Sequence, residues 1–347
     1  MLTNFAKLSE DALYNMMFDE NTWNTMGDDG CLELLQEVEN RQAFYDGRPP
    51  MTIRFISAEE EGGGLRGYYQ HGRGCLFISR TLVRPSKLGV SGTGAAGAIG
   101  TALHEGRHAF QHHCMEKTSS LVNWDQRLEW ALNFTHYFSF DGHDSEQEAA
   151  LYLFQPVELD ARRAARQGVR KIGDRLVQAG HAPNPMIRRY LENEQSYERA
   201  YAAMAMRVLT PQLLDRLDRE AKEKFLRYNP GVDVSRIQLF RELRNMMGCM
   251  DRLIDDPRSL GNVSGYGPAF GSNGFNFGSG GSMVASYTPT FGCITPAALG
   301  PFSVPSDRTM VSIRPNIACQ TEEELEAMTR AILSRVGADG YASRHGA

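Results

Sequence analysis

An α+β fold follows from this sequence: a small twisted sheet, a long buried helix after it, a further helical region, and a flexible Gly/Ser/Pro-rich tail. Three observations carry that reading. Residues 51–79 alternate apolar and polar side chains between glycine-marked turns, the period of strands. From residue 94 to about 115, and over most of 121–254, apolar residues instead recur every three or four positions, the period of helices. Beyond residue 256 neither period survives, and Gly, Ser, Pro and Asn dominate.

These shifts divide the 347 residues into an N-terminal helical segment (1–50), a core (51–170), a helical region (171–255), a flexible linker (256–320) and a C-terminal helix and tail (321–347). The length suits one large or two modest domains. Residues 3–17 and 29–44 read as two amphipathic helices, through Leu8, Ala12, Leu13 and Met16, then Leu32, Leu35, Val38 and Phe44. Gly47-Arg48-Pro49-Pro50 ends the second. Met51-Thr52-Ile53-Arg54-Phe55-Ile56 alternates as a strand, and Glu59-Glu60-Glu61-Gly62-Gly63-Gly64 makes an acidic turn. Residues 65–70 and 75–79 then flank His71-Gly72-Arg73-Gly74, a hairpin signal.

Composition excludes several function classes. A net charge of −5 and a pI near 6.0 argue against a nucleic-acid binder that relies on a basic surface. No run of about 18 apolar residues occurs, so no membrane span is expected. The start, Met1-Leu2-Thr3-Asn4-Phe5-Ala6-Lys7, lacks a basic region followed by an apolar run, which predicts a cytoplasmic protein without a secretory signal. Cys31, Cys75, Cys114, Cys249, Cys293 and Cys319 are scattered without paired spacing, as reduced and mostly buried thiols are.

The chemistry concentrates in His104-Glu105-Gly106-Arg107-His108. Two histidines four positions apart on a helix project from one face about a turn apart, so both imidazoles reach one metal ion. Zinc suits such a pair, and Glu105 stands where a general base would take a proton from a zinc-activated water. The bland alternative is a helix with solvated or hydrogen-bonded histidines. Small residues upstream, Gly94 to Thr101, and the apolar Ala98, Ile99, Ala102, Leu103, Ala109 and Phe110 instead suit a buried helix in close contact with its neighbours. His112 continues the histidine series, but the outer pair is separated by about 12 Å of helix rise and cannot share one ion. It reads as a supporting or solvated residue.

This stretch resembles the active-site helix of the zincin metallopeptidases, over roughly residues 51–170. The resemblance implies a sheet before the helix, with a hairpin strand lining the cleft and pairing with the backbone of an extended peptide or protein substrate. It also implies a third metal ligand on a later helix. Several residues compete for that place, among them Glu146, Glu148, His136 and His143. Glu158 is chosen because Pro156 suits a first helical turn and small Ala161 and Ala165 let this helix approach the metal helix. Its Glu-x-x-Ala arrangement is also similar to the third-ligand helix of glutamate-type zincins. Asp160 is expected to support a ligand histidine or to pair with Arg163, while Tyr152 is a candidate oxyanion donor and, more simply, a core tyrosine. The implied activity is that of a zinc-dependent endopeptidase, with His104, His108 and Glu158 as ligands and Glu105 as base.

Other features compete for a role. Gly92-Thr93-Gly94-Ala95-Ala96-Gly97 has a dinucleotide-loop spacing, but no strand immediately precedes it and the following helix carries the metal motif. The aromatic residues of 121–140 read as core, or as a substrate-pocket lining. Arg162, Arg163, Arg166, Arg170 and Lys171 read as a solvated helix face. Thr321-Glu322-Glu323-Glu324 opens a short C-terminal helix, either a docking element for a protein partner or a helix folded back on the body. Residues 314–336 resemble the ends of phage tail-associated proteins, which implies the alternative of a non-catalytic zincin-like component of a phage-type or mobile-element assembly.

Overall fold

The computed structural model describes residues 5–57, 65–83, 94–117, 121–139, 145–255 and 309–313. These are mostly helical, with one small mixed sheet. The N-terminal segment forms three helices where two were expected: α1 (Glu10–Phe18), α2 (Glu20–Thr25) and α3 (Asp28–Tyr45). The extra one is a single capped turn and a half. Asp19 ends α1 and its carboxylate accepts the Thr22 backbone N–H at 2.9 Å, starting α2 and turning Trp23 inward.

The sheet begins with β1 (Thr52–Phe55), β2 (Leu65–Gln70) and β3 (Cys75–Ile78). As expected, β2 and β3 form an antiparallel hairpin, and Gly74 at its turn takes φ +59°, a left-handed conformation open to glycine. β1 lies on the far side of β3 and runs parallel to it. The side chains alternate between two faces. Ile53, Tyr69, Leu76 and Ile78 join the helical core, while Ile56, Tyr68, Cys75 and Phe77 form a separate cluster in which the Tyr68 and Phe77 rings stack at 4.4 Å.

One part of the linker expectation is overturned. Residues Thr309–Ile313 form a fourth strand, β4, which adds antiparallel to β2 and gives the order β1-β3-β2-β4. β-branched Thr309, Val311 and Ile313 suit a strand, and a sheet edge supplies the backbone partners that an isolated segment lacks. Neither hairpin strand is therefore an edge. The rest of the 256–320 linker and the 321–347 helix lie outside the described residues.

The central element is α4 (Gly94–Glu116), with α5 (Trp124–Thr135), α6 (Glu146–Phe154), α7 (Pro156–Gln178) and α8 (Pro185–Val208) packed around it and one another. Helices α9 (Pro211–Tyr228) and α10 (Arg241–Asp255) complete the described body. One hydrophobic cluster runs from Leu13 in α1 to Leu243 in α10. The expected boundary at 170/171 falls inside α7, and the 1–50 segment contributes Leu34, Leu35 and Val38 to the same cluster. The segments share a core because α4 is buried on nearly every side and needs neighbours from all of them.

Candidate metal centre

Two close approaches set the depth of α4. On the sheet side, a Cβ at Gly67 of β2 would stand 2.6 Å from Thr101 Cγ2 and 2.8 Å from the Phe77 carbonyl oxygen, so only glycine lets β2 lie against this helix. On the α3 side, a Cβ at Gly106 would stand 3.0 Å from both Arg48 Nη2 and Glu39 Oε2. Those two side chains form a buried bidentate ion pair, with N–O distances of 2.6 and 2.9 Å. The glycine inside the histidine motif thus seats α4 on a fixed ionic platform.

On the third side, α7 is the most extensive neighbour of α4. Pro156 stands at its first turn as expected, breaking the helical run after α6, and the buried Ala161 and Ala165 allow the close approach. Glu158 consequently sits in the first turn of α7, where backbone N–H groups favour a carboxylate, and reaches both histidines. His104 Nε2 lies 3.3 Å from Glu158 Oε2, His108 Nε2 lies 3.2 Å from Glu158 Oε1, and the two Nε2 atoms are 3.2 Å apart. With zinc–ligand bonds of about 2.0–2.1 Å, ligand atoms of a tetrahedral site stand about 3.3–3.4 Å apart. The two histidine nitrogens meet that spacing, and with an oxygen of Glu158 beside each of them the three side chains offer the donor types that suit a small divalent cation.

Glu105 faces the same place. One of its carboxylate oxygens and a nitrogen of each histidine lie within 4.8 Å of one another, so His104, Glu105 and His108 form a buried group that could hold a metal. Glu105 is fully buried and has no side-chain hydrogen-bond partner; the charge of His108 and the backbone N–H of Tyr69 favour its charged form, and burial outweighs both. A buried carboxylate left unpaired is costly, which marks it as a group kept for a purpose other than stability.

Each inner residue has a partner behind it. His108 Nδ1 is 2.9 Å from Gln111 Oε1, and Gln111 Nε2 donates to the Val157 carbonyl at 3.0 Å and to Asp160 Oδ2 at 2.7 Å. Because the amide spends its N–H groups on those oxygens, Oε1 must face His108 and Nδ1 must carry the proton. With Nδ1 holding that proton, Nε2 is the nitrogen turned toward the cluster, where it carries the second proton of the imidazolium and donates to Glu158 in the metal-free chain. Tyr137 donates its hydroxyl to Glu158 Oε1 at 2.7 Å. The segment bearing it is tied to the α6–α7 junction: Gln155 Oε1 accepts from Asn133 at 3.0 Å and from the Phe138 N–H at 3.1 Å, and Asn133 Oδ1 accepts from the Val157 N–H at 3.0 Å.

The electrostatics are those of a carboxylate balanced by one imidazolium. Burial alone would raise Glu158, but the charge of His108 and hydrogen bonds from both histidines hold it well below the usual carboxylate range. Burial alone would lower His108, yet the Glu158 charge and hydrogen bond outweigh this, with Glu105 and Gln111 adding, and push it up to about 9. His104 is lowered, by burial first, with Glu158 opposing. Glu105 is raised well above its ordinary value, by burial and then by the Glu158 charge. The proton on His108 occupies the place that a cation would take, since metal binding displaces ligand protons.

Other expected residues find different places. Asp160 pairs with Arg107 at 2.7 Å and reaches His108 only through Gln111, while Arg163 pairs with Glu242. His112 is neither solvated nor bonded to a ligand. Its ring stacks on His71 at 4.5 Å and meets Phe134 at 4.3 Å, its Nε2 has no hydrogen-bond partner, and burial pulls its pKa down to about 3. Tyr152 is a core residue whose ring meets Tyr137 edge-on at 6.4 Å. Glu146 pairs with Arg207, Glu148 closes a capping box with Ser145, and His136 caps α5; His143 lies outside the described residues. Sequence reasoning missed Tyr137, Gln111 and the Asn133–Gln155 tie. Only Gln111 left a signal, one turn beyond His108 on the same face.

Comparison with known proteins gives no match: no family model, no curated protein and no solved structure resembles this chain closely enough. Among the described residues no helix is long and apolar enough to cross a membrane.

Proposed function

We propose that this protein is a zinc-dependent peptidase, with His104, His108 and Glu158 as metal ligands and Glu105 as general base. One observation carries the reading: a fully buried carboxylate without a side-chain partner, Glu105, lies beside the Nε2 atoms of His104 and His108, which are 3.2 Å apart and each within 3.3 Å of an oxygen of Glu158. Zinc, when bound, polarises a carbonyl and lowers the pKa of water toward neutrality. Glu105 is the base that accepts the proton of the attacking water and returns it to the departing amine. Burial raises its pKa well above the ordinary carboxylate value, with the His108 charge opposing, which makes it a stronger base than an exposed glutamate. Gln111 orients His108, and Tyr137 orients Glu158, so neither ligand needs to reorganise during turnover.

A second reading is favoured by the burial of the whole cluster, with His108 and Glu105 at 0% exposure. A closed zincin-like site of that kind would hold metal for stability alone, within a structural component. Zinc titration and hydrolysis of a quenched fluorescent peptide library, for the native chain and Glu105→Gln, separate the two. The enzyme reading expects about one zinc per chain in both and hydrolysis in the native chain only. Equal hydrolysis by both, or no zinc uptake by the native chain, removes it. Zinc uptake in both without hydrolysis under any condition, including after release of β4 as described next, leaves the structural reading.

A further inference from the structure

We infer that this chain inhibits itself: residues 309–313 act as an internal ligand and fill the place on the β2 edge beside the metal cluster where an extended peptide would pair. The peptide-binding part stands alone, whereas its meaning for turnover rests on the proposed peptidase activity.

Gly67 and Tyr69 of β2 face α4, with Gly67 against Thr101 and the Glu105 side chain. These two residues pair with Ser312 and Met310 of β4, and β4 also contacts α4. Neighbouring strands lie about 4.8 Å apart, so the β4 backbone runs one strand spacing from the residues that touch Glu105. Any extended peptide seeking the cluster from this side would use the same backbone groups of β2. The opposite flank of β2 is already bonded to β3, which leaves one place for it.

The connection points the same way. β1, β2 and β3 follow one another within residues 52–78, whereas β4 comes from Thr309–Ile313, far along the chain. A strand contributed from so distant a part of the sequence stands to the β2 edge as an intramolecular ligand and competes there with free peptide. The ladder also carries an irregularity at Leu65/Gly67, so pairing is imperfect beside the cluster, a usual place for a bulge that ends or redirects a strand.

The test uses the full chain with Met310→Pro and Val311→Pro. Alternate N–H groups of an antiparallel strand face the partner, so consecutive prolines remove a ladder donor whichever of the two faces β2. Circular dichroism and thermal unfolding verify that the body stays folded. In a Glu105→Gln background, a fluorescent peptide spanning residues 306–315 should bind the proline variant at least tenfold more tightly than the unmodified chain. A peptide bearing the same two substitutions should not bind. Hydrogen exchange of residues 67–70 should rise in the proline variant and fall again when the peptide is added. Equal binding to both proteins, or binding to neither, would overturn the inference. With Glu105 intact, the proline variant should hydrolyse a reporter peptide at least tenfold faster than the native chain, and the 306–315 peptide should slow it. Equal rates in two active proteins would also overturn the inference. Binding as expected with no hydrolysis in either would instead count against the peptidase activity and leave the peptide site standing.

Discussion

Glu105→Gln should make the metal-free protein more stable while removing the proposed peptidase activity. The carboxylate is fully buried without a side-chain hydrogen-bond partner, and burial, aided by the Glu158 charge and opposed by the His108 charge and the Tyr69 backbone N–H, raises its pKa well above the ordinary value. A carboxyl whose folded pKa is raised binds its proton more tightly in the folded state. Folding stability is therefore greatest below the unfolded pKa of 4.5 and falls as pH rises from there toward the folded value. An unsatisfied buried polar group costs about 1–3 kcal/mol, and more when charged, so about 2 kcal/mol is a conservative gain for the neutral amide at pH 8. At roughly 2.1 cal/mol/K of unfolding entropy per residue, a chain of 347 residues shifts by about 1.4 °C per kcal/mol, so Tm should rise by roughly 3 °C. The assay is thermal unfolding of both proteins in excess chelator from pH 5 to pH 8. The gain should shrink steadily toward pH 5, where the native carboxyl is increasingly neutral in both states. A Tm difference that is absent at pH 8, or independent of pH, would refute the claim that Glu105 is an unpaired buried acid.

Three further outcomes follow from the surroundings of the cluster. Gln111→Leu removes the acceptor that fixes the His108 tautomer, and zinc affinity measured by chelator competition should weaken about 10–100-fold. Tyr137→Phe deletes the hydroxyl bonded to Glu158 and should cost about 1.5–3 kcal/mol in chemical denaturation of the metal-free protein, as for other hydrogen bonds to charged groups; an unchanged midpoint would show the contact to be idle. Gly67→Ala places a methyl against Thr101 and the Phe77 carbonyl oxygen, and should destabilise the fold by about 1–3 kcal/mol, whereas Gly72→Ala, with nothing within 4 Å of its Cβ, should change little.

What could be read from the sequence was what is local in the chain. The hairpin around Gly74, the helix bearing His104 and His108, and the restart of the helix at Pro156 each depend on residues within a turn or two, and each appears where expected. The meeting of Glu158 with the histidines was reached through one such signal, Pro156, together with a family resemblance. Tyr137 was out of reach because its role depends on Asn133 and Gln155 joining two segments, and a tyrosine in an aromatic run looks like core. Helix α2 was too short for periodicity to register. Strand β4 escaped because five residues within a glycine-rich region make a strand only when an edge is offered to them, and that edge lies far back in the chain. The shared cluster of the 1–50, 51–170 and 171–255 segments escaped for a similar reason: periodicity marks where a helix runs, and not which other helices share its core.

The tie at the α6–α7 junction bears on how the protein would acquire its ion. Glu158 is held by Tyr137 and both imidazoles before any cation arrives, and Gln155 and Asn133 lock the segments that present them. Small zinc domains whose folding waits for the metal behave otherwise. On the proposed zinc reading, this chain would fold first and be loaded afterwards, so chelation should leave a finished apoprotein that regains the ion without refolding.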